Sequence, residues 1–236
     1  MWFSYINPSN YSKRSRMLLK RLLVLCTIVL LFYSLVFIVP TACSGFNKPC
    51  YLSNNELEAM RHMAKVIIET LEELNETYWL ESGTLLGAYR HGDILKHDYD
   101  LDIGRIRHKK YSKEYKFGDK FHEIMKKKYN MSANPMIVSY MKNNKQFLCD
   151  MSQFKQTYNK KTKQYLLYES YHSKSWSDNF KRTSFPREVI LPTTRIMFLG
   201  RLVRVPGQYK KYLKMKYPYS LNVRFPYKWR CWLPWN

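Results

Sequence analysis

Asp98, Asp100 and Asp102 occupy every second position of DYDLDI. Alternate side chains of a β-strand leave the same face, so the spacing predicts three neighbouring carboxylates on a strand over 98–103. Tyr99, Leu101 and Ile103 fall between them and make the opposite face apolar. Carboxylates this close repel one another unless something positive neutralises them. A hard divalent cation, Mg²⁺ or Mn²⁺, suits the role because it takes carboxylate oxygens and keeps positions open for phosphate. Just upstream, Ser82-Gly83-Thr84 reads as a strand-to-helix turn, whose N–H groups and hydroxyl at a positive dipole end suit a phosphate. A further carboxylate is expected from a neighbouring strand, and Asp150, within FLCDM, is the downstream acid in an apolar, strand-like setting.

These groups need elements to hold them. Ser53-Asn54-Asn55-Glu56 has the form of a capping box, and Leu57, Met60, Ala64, Ile67, Leu71 and Leu74 follow at helical spacing. That pattern predicts a helix ending near Asn75, then a short strand at Tyr78-Trp79-Leu80, the turn, and a second helix over Leu85–Tyr89 broken at Gly92-Asp93. Strands are expected over 136–141 and 146–154, a lysine-rich turn over 159–163, a hairpin over 194–205 turning at Gly200, and a basic helix over 208–217. Strands mixed with helices, without strict alternation, predict an α+β domain.

The chain has 236 residues and a net charge of +22. Residues 1–40 hold five basic residues and no acid, residues 41–102 five basic and eleven acidic, and residues 103–236 thirty basic and seven acidic. A cationic second half attracts phosphorylated substrates or other polyanions. Leu22 to Val39 is an uncharged apolar run that would span about 27 Å as a helix, close to a bilayer's hydrocarbon thickness. The basic residues before it predict a cytoplasmic N-terminus. The expected order is a cytoplasmic tail (1–21), a transmembrane anchor (22–39), a short stem (40–50) and a catalytic domain (51–236) facing the Golgi or ER lumen, a single-pass type II topology. Sequons at Asn75 and Asn130 agree with it, nucleic acid is an improbable partner behind an anchor, and an oxidising lumen permits a short disulfide loop between Cys43 and Cys50.

The stretch SGTLLGAYRHGDILKHDYDLDIG, with DMSQF and the tail FPREVILPTTRIMFLGRLVRVPGQYKKYLKMKYP, resembles the LicD family, and most closely its fukutin-related, ribitol-phosphate-transferring branch. The resemblance covers roughly residues 50–220. It implies a nucleotidyltransferase-like mixed sheet with flanking helices. It also implies Asp100 and Asp102 as principal metal ligands with Asp98 adjoining, and Asp150 as the equivalent of the third carboxylate, so that Asp100, Asp102 and Asp150 carry catalysis. Gly83 and Thr84, with Ser82, match the phosphate-holding turn, and Arg90 and His91 match an Arg-His pair expected to contact the donor's phosphates. His97 departs from the Trp that family members often carry before the aspartates.

The implied reaction moves an alcohol phosphate, ribitol 5-phosphate or phosphocholine, from a CDP-linked donor to a glycan or glycoprotein acceptor and releases CMP. Two other readings compete. An Asp-x-Asp Golgi glycosyltransferase would also use a metal, but does not need the Ser-Gly-Thr-Leu-Leu-Gly turn and Arg-His pair upstream. A membrane-anchored, non-enzymatic binder of polyanionic glycans would use the cationic half alone.

Overall fold

The computed structural model describes residues 13–35, 49–107, 117–169, 184–222 and 231. The chain divides into two compact units, Met1–Cys50 with Phe225–Asn236, and Tyr51–Arg224.

In the first unit, helix α1 (Lys13–Tyr33) carries most of the apolar run. Its large apolar side chains from Leu18 to Tyr33 are all more than half exposed. No helix among the described residues is long and apolar enough to cross a membrane, and positions 36–39 of the expected anchor lie outside the described residues. The disulfide joins Cys50 to Cys231, 181 residues apart, which corrects the expected Cys43–Cys50 loop. Cys43 and most of the aromatic tail lie outside the described residues.

The second unit is α+β. Helix α2 (Asn54–Glu73) starts at the predicted capping box: Ser53 caps the Glu56 N–H, and the Glu56 side chain returns to the Ser53 N–H. Its buried stripe includes Leu57, Met60, Met63, Ala64, Ile67, Ile68 and Leu71. Each large apolar side chain buried in this way contributes about 1.5–3 kcal/mol. After it come β1 (Tyr78–Leu80), α3 (Ser82–His91), β2 (Asp100–Ile106), α4 (Phe117–Tyr129), β3 (Ser132–Ala133), β4 (Ile137–Lys142), β5 (Lys145–Asn159) and β6 (Gln164–Glu169). The chain then forms β7 (Ser184–Pro186), the single turn α5 (Arg187–Ile190), β8 (Thr194–Phe198), β9 (Arg201–Val205) and α6 (Tyr209–Lys216).

Seven strands form one mixed sheet in the order β1-β2-β5-β4-β3, with β6 also on β5 and β7 on β6. The β2–β5 pair is parallel and the other pairs are antiparallel. β8 and β9 form the predicted hairpin, with Leu199 and Gly200 both at positive φ, the turn geometry that matches the twist of two strands.

The uneven charge along the chain has a structural counterpart. Arg201 pairs with Glu69 and Glu72, Arg195 with Glu72, Lys128 with Glu73 and Lys145 with Glu56. The basic second half thus folds onto the acidic helix α2. Each exposed pair contributes about 0–1 kcal/mol.

Candidate active site

The aspartates are brought together by a register. Asp102 of β2 pairs with Asp150 of β5 in the parallel ladder, which sets the two side chains on adjacent strands about 4.8 Å apart and facing the same way. Asp100 lies two residues earlier on the same face of β2. Asp98 precedes the strand, which begins at Asp100 rather than at Asp98 as predicted. Its carboxylate nevertheless reaches the cluster, where it meets the Asp100 carboxylate, and it also packs on Gly83, where a Cβ would stand 1.9 Å from Asp98 Oδ2. Asp98 therefore lies against the first turn of α3, the positive end of that helix dipole.

Two backbone contacts fix the turn to the strand. The Asp102 N–H donates to Thr84 Oγ1 at 2.8 Å, and the Glu81 N–H donates to the Asp102 carbonyl at 3.0 Å. Thr84 is buried, so its hydroxyl stands behind the carboxylates and positions Asp102. Ser82 and Gly83 are half-buried at the start of α3, with Ser82 at φ 43°. Here the first N–H groups of the helix have no intrahelical acceptor.

Arg90 and His91 are not brought to the aspartates by their own helix. They close α3, about 13 Å along its axis from Ser82. Arg90 donates to the carbonyls of Ser220 (3.3 Å) and Leu221 (2.8 Å), tying α3 to the segment after α6. His91 is exposed at the helix's negative end.

Burial and mutual repulsion shape the acids. Burial, then the charge of Asp100, raises the Asp98 carboxyl to about 7. Burial, then Asp100, Asp98 and Glu81, raises Asp102 to about 8, against a smaller opposing pull from Lys216. Asp150 also shifts upward, through burial and Asp100.

Sequence reasoning missed the second layer. Glu81 is fully buried and accepts hydrogen bonds from Trp79 Nε1 (2.8 Å), the Tyr212 hydroxyl and Lys216 Nζ. Burial alone would lower the Lys216 ammonium, but the Glu81 charge and hydrogen bond hold it raised. Trp79 meets Phe154 with ring centroids 5.0 Å apart and Phe185 meets Tyr212 at 4.3 Å, both pairs tilted, and these rings flank the network. Glu81 could have been noticed as an acid directly before the turn. Lys216 carried no signal among the many lysines of its helix.

The residues fit a divalent cation in kind and charge. Four carboxylates offer hard oxygen ligands, and in two of them, Asp98 and Asp102, burial and then the neighbouring carboxylate charge favour the protonated form, which a bound cation would reverse. Among the described residues, no group of three or more acidic, imidazole or thiol side chains is placed so that it could hold a metal ion.

Comparison with known proteins agrees with this architecture. Residues 75–208 match the LicD/FKTN/FKRP nucleotidyltransferase domain. The chain belongs to the LicD family. The match runs from the end of α2 to the start of α6 and contains Glu81 and all four aspartates. Among LicD-family relatives, the chain is similar to ribitol 5-phosphate transferase FKRP of Mus musculus, 28% identical over 166 residues, which cover 68% of this chain and 31% of that protein. The Homo sapiens FKRP is 27% identical over the same extent. Ribitol-5-phosphate transferase FKTN of Macaca fascicularis is 42% identical over 60 residues, 23% of this chain and 13% of that protein. The FKRP matches thus span about a third of those relatives' length.

Proposed function

We propose that the chain transfers ribitol 5-phosphate from CDP-ribitol to a glycan hydroxyl, releasing CMP. The observation that carries this reading is the Asp102–Asp150 register beside the Ser82–Thr84 turn. The donor's diphosphate borders the first turn of α3, where helix N–H groups favour an anion. Asp98, Asp100, Asp102 and Asp150 are the residues that would hold Mg²⁺ or Mn²⁺, which supplies charge neutralisation at phosphoryl oxygens when bound.

Asp150 accepts the proton of the acceptor hydroxyl, and burial and the Asp100 charge, which raise its carboxyl, make it a stronger base than a free carboxylate. The new bond joins the acceptor oxygen to the phosphorus bearing ribitol. The P–O bond to the CMP phosphate breaks, and CMP leaves with that electron pair. Lys216 and Glu81 act through Asp102, fixing its surroundings from behind.

The reading includes a membrane anchor over 22–39, whose described part exposes its apolar side chains, and a catalytic unit in the Golgi or ER lumen. The reading is tested on the full chain by measuring CMP release from CDP-ribitol and CDP-choline with a glycan acceptor, with Mg²⁺, Mn²⁺ or EDTA. Release from CDP-ribitol that needs metal and is lost in Asp102→Asn is the expected result. Release that persists in EDTA, or in Asp102→Asn, overturns it.

A further inference from the structure

The long strand β5 is paired unevenly along one edge. β2 runs beside it from Leu148 to Phe154. On the other edge, β4 pairs with it up to Asp150, and β6 begins only at Phe154. Between these two strands, among the described residues, β5 keeps a single backbone contact, the Met151 N–H donating to the Met136 carbonyl at 2.7 Å. The gap opens into a cavity of about 210 Å³, lined by Met136, Ile137, Asp150, Met151, Ser152, Gln153 and Glu169.

In a chain of net charge +22, this lining contains, among the described residues, two carboxylates and no basic residue. An anionic group such as phosphate is therefore disfavoured here. Glu169 is buried and accepts the Ser152 hydroxyl proton, and Gln153 Nε2 is held by the Pro135 carbonyl at 2.9 Å. What the cavity presents is hydrogen-bond acceptors, Asp150 and Glu169, on a wall of Met136, Ile137 and Met151. Acceptors with an apolar wall match the hydroxyls and C–H faces of a sugar or polyol. A quaternary ammonium is recognised chiefly by aromatic faces, and the described residues of this lining include none.

We infer that this gap between β4 and β6 is a binding site for a neutral polyhydroxylated group, and that the group is the acceptor sugar. Only the second half rests on the transferase reading. Asp150 belongs both to the cavity lining and to the register with Asp102, so a hydroxyl seated there donates to the carboxylate proposed as its base.

The test uses the full chain carrying ¹³C-methyl methionine, with the Met136 and Met151 signals assigned from Leu substitutions. Ribitol, methyl mannoside, choline and inorganic phosphate are titrated separately to tens of millimolar. The expected result is that the two neutral polyols shift both signals while choline and phosphate do not. Ile137→Trp should abolish the shift, and Ile137→Ala, which cannot clash, should weaken it by a smaller factor. Polyols that leave both signals unmoved, or choline or phosphate moving them instead, overturn the site. A second arm separates the sources. With CDP-ribitol as donor, Ile137→Trp should raise the acceptor KM about tenfold or more. Donor KM should rise by a smaller factor, since Ile137 is also the ladder partner of Asp150. A rise in donor KM alone overturns the acceptor assignment and gives the site to the donor's polyol. No CMP release by the unaltered chain defeats the transferase reading, while the methyl shifts still decide the site.

Discussion

Gly83 lies so close to Asp98 that a Cβ there would come within 1.9 Å of the carboxylate oxygen and 3.0 Å of the carboxyl carbon. The first turn of α3 and the acid preceding β2 are therefore in direct contact, and the missing side chain is what lets them meet. Gly83→Ala should push Asp98 out of the cluster, because a side chain yields more readily than the helix. Activity and Mn²⁺ affinity should fall about tenfold or more, while thermal stability changes by only about 1 kcal/mol. A metal titration alongside a melting curve checks the split, and equal losses in both would count against it.

The acid cluster gives stability a definite pH dependence. Asp102 is raised to about 8 in the folded chain, well above the ordinary carboxylate value of 3.8 that applies when unfolded. Between those values the folded chain keeps a proton that the unfolded chain has released, so stability falls as pH rises from about 4 to 8. Asp102→Asn removes this dependence. In EDTA the variant should melt above the parent at pH 8, and the gap should close towards pH 4. Each kcal/mol is read as a Tm change of about 2–4 °C. Mg²⁺ or Mn²⁺ should raise the parent's Tm more than the variant's. An equal gap at both pH values would show that Asp102 is not protonated on folding.

Much of this arrangement was legible in the sequence, for local reasons. The capping box at Ser53, the stripe of α2 and the Gly200 turn each depend on neighbours a few residues away. The pairing of Asp102 with Asp150 was expected only as a carboxylate on a neighbouring strand, since register depends on contacts distant in sequence. The same limit hid the Glu81–Lys216 pair, which spans 135 residues, and the Cys50–Cys231 bridge, which spans 181. Arg90 and His91 were adjacent to the motif in sequence, yet a ten-residue helix carries them away from the turn.

Asn75 and Asn130 sit just past the ends of α2 and α4, exposed and at φ 53°. Asparagine has a structural reason to occupy both positions, because it tolerates the left-handed conformation that ends a helix. Their side chains are open to modification, and the Cys50–Cys231 disulfide fits an oxidising compartment. Under the proposed luminal topology, expression in a secretory system should yield glycans at both sites. Asn75→Gln and Asn130→Gln should each remove one endoglycosidase-sensitive mobility step. A chain without glycan at either site would argue against a luminal catalytic unit.

Lys216 and Glu81 are the charges whose separation should cost most. Glu81 is fully buried, and the Lys216 side chain is 22% exposed. Lys216→Met would leave a buried carboxylate with only the Trp79 and Tyr212 donors, at a cost of about 3–5 kcal/mol. Glu81→Gln alone keeps one acceptor oxygen, enough for Trp79 or Tyr212 but not both, and strands the ammonium, so it should also destabilise. Combining the two removes both charges and should recover part of the loss, giving a coupling of about 1–3 kcal/mol in a double-mutant cycle. Lys216→Met should also move the Asp102 carboxyl further up, because it removes the one cation that pulls it down. Following that titration with a ¹³C-carboxyl label separates the effect on the site from a general loss of stability. Additive stabilities and an unmoved Asp102 titration would leave Lys216 without a positioning role.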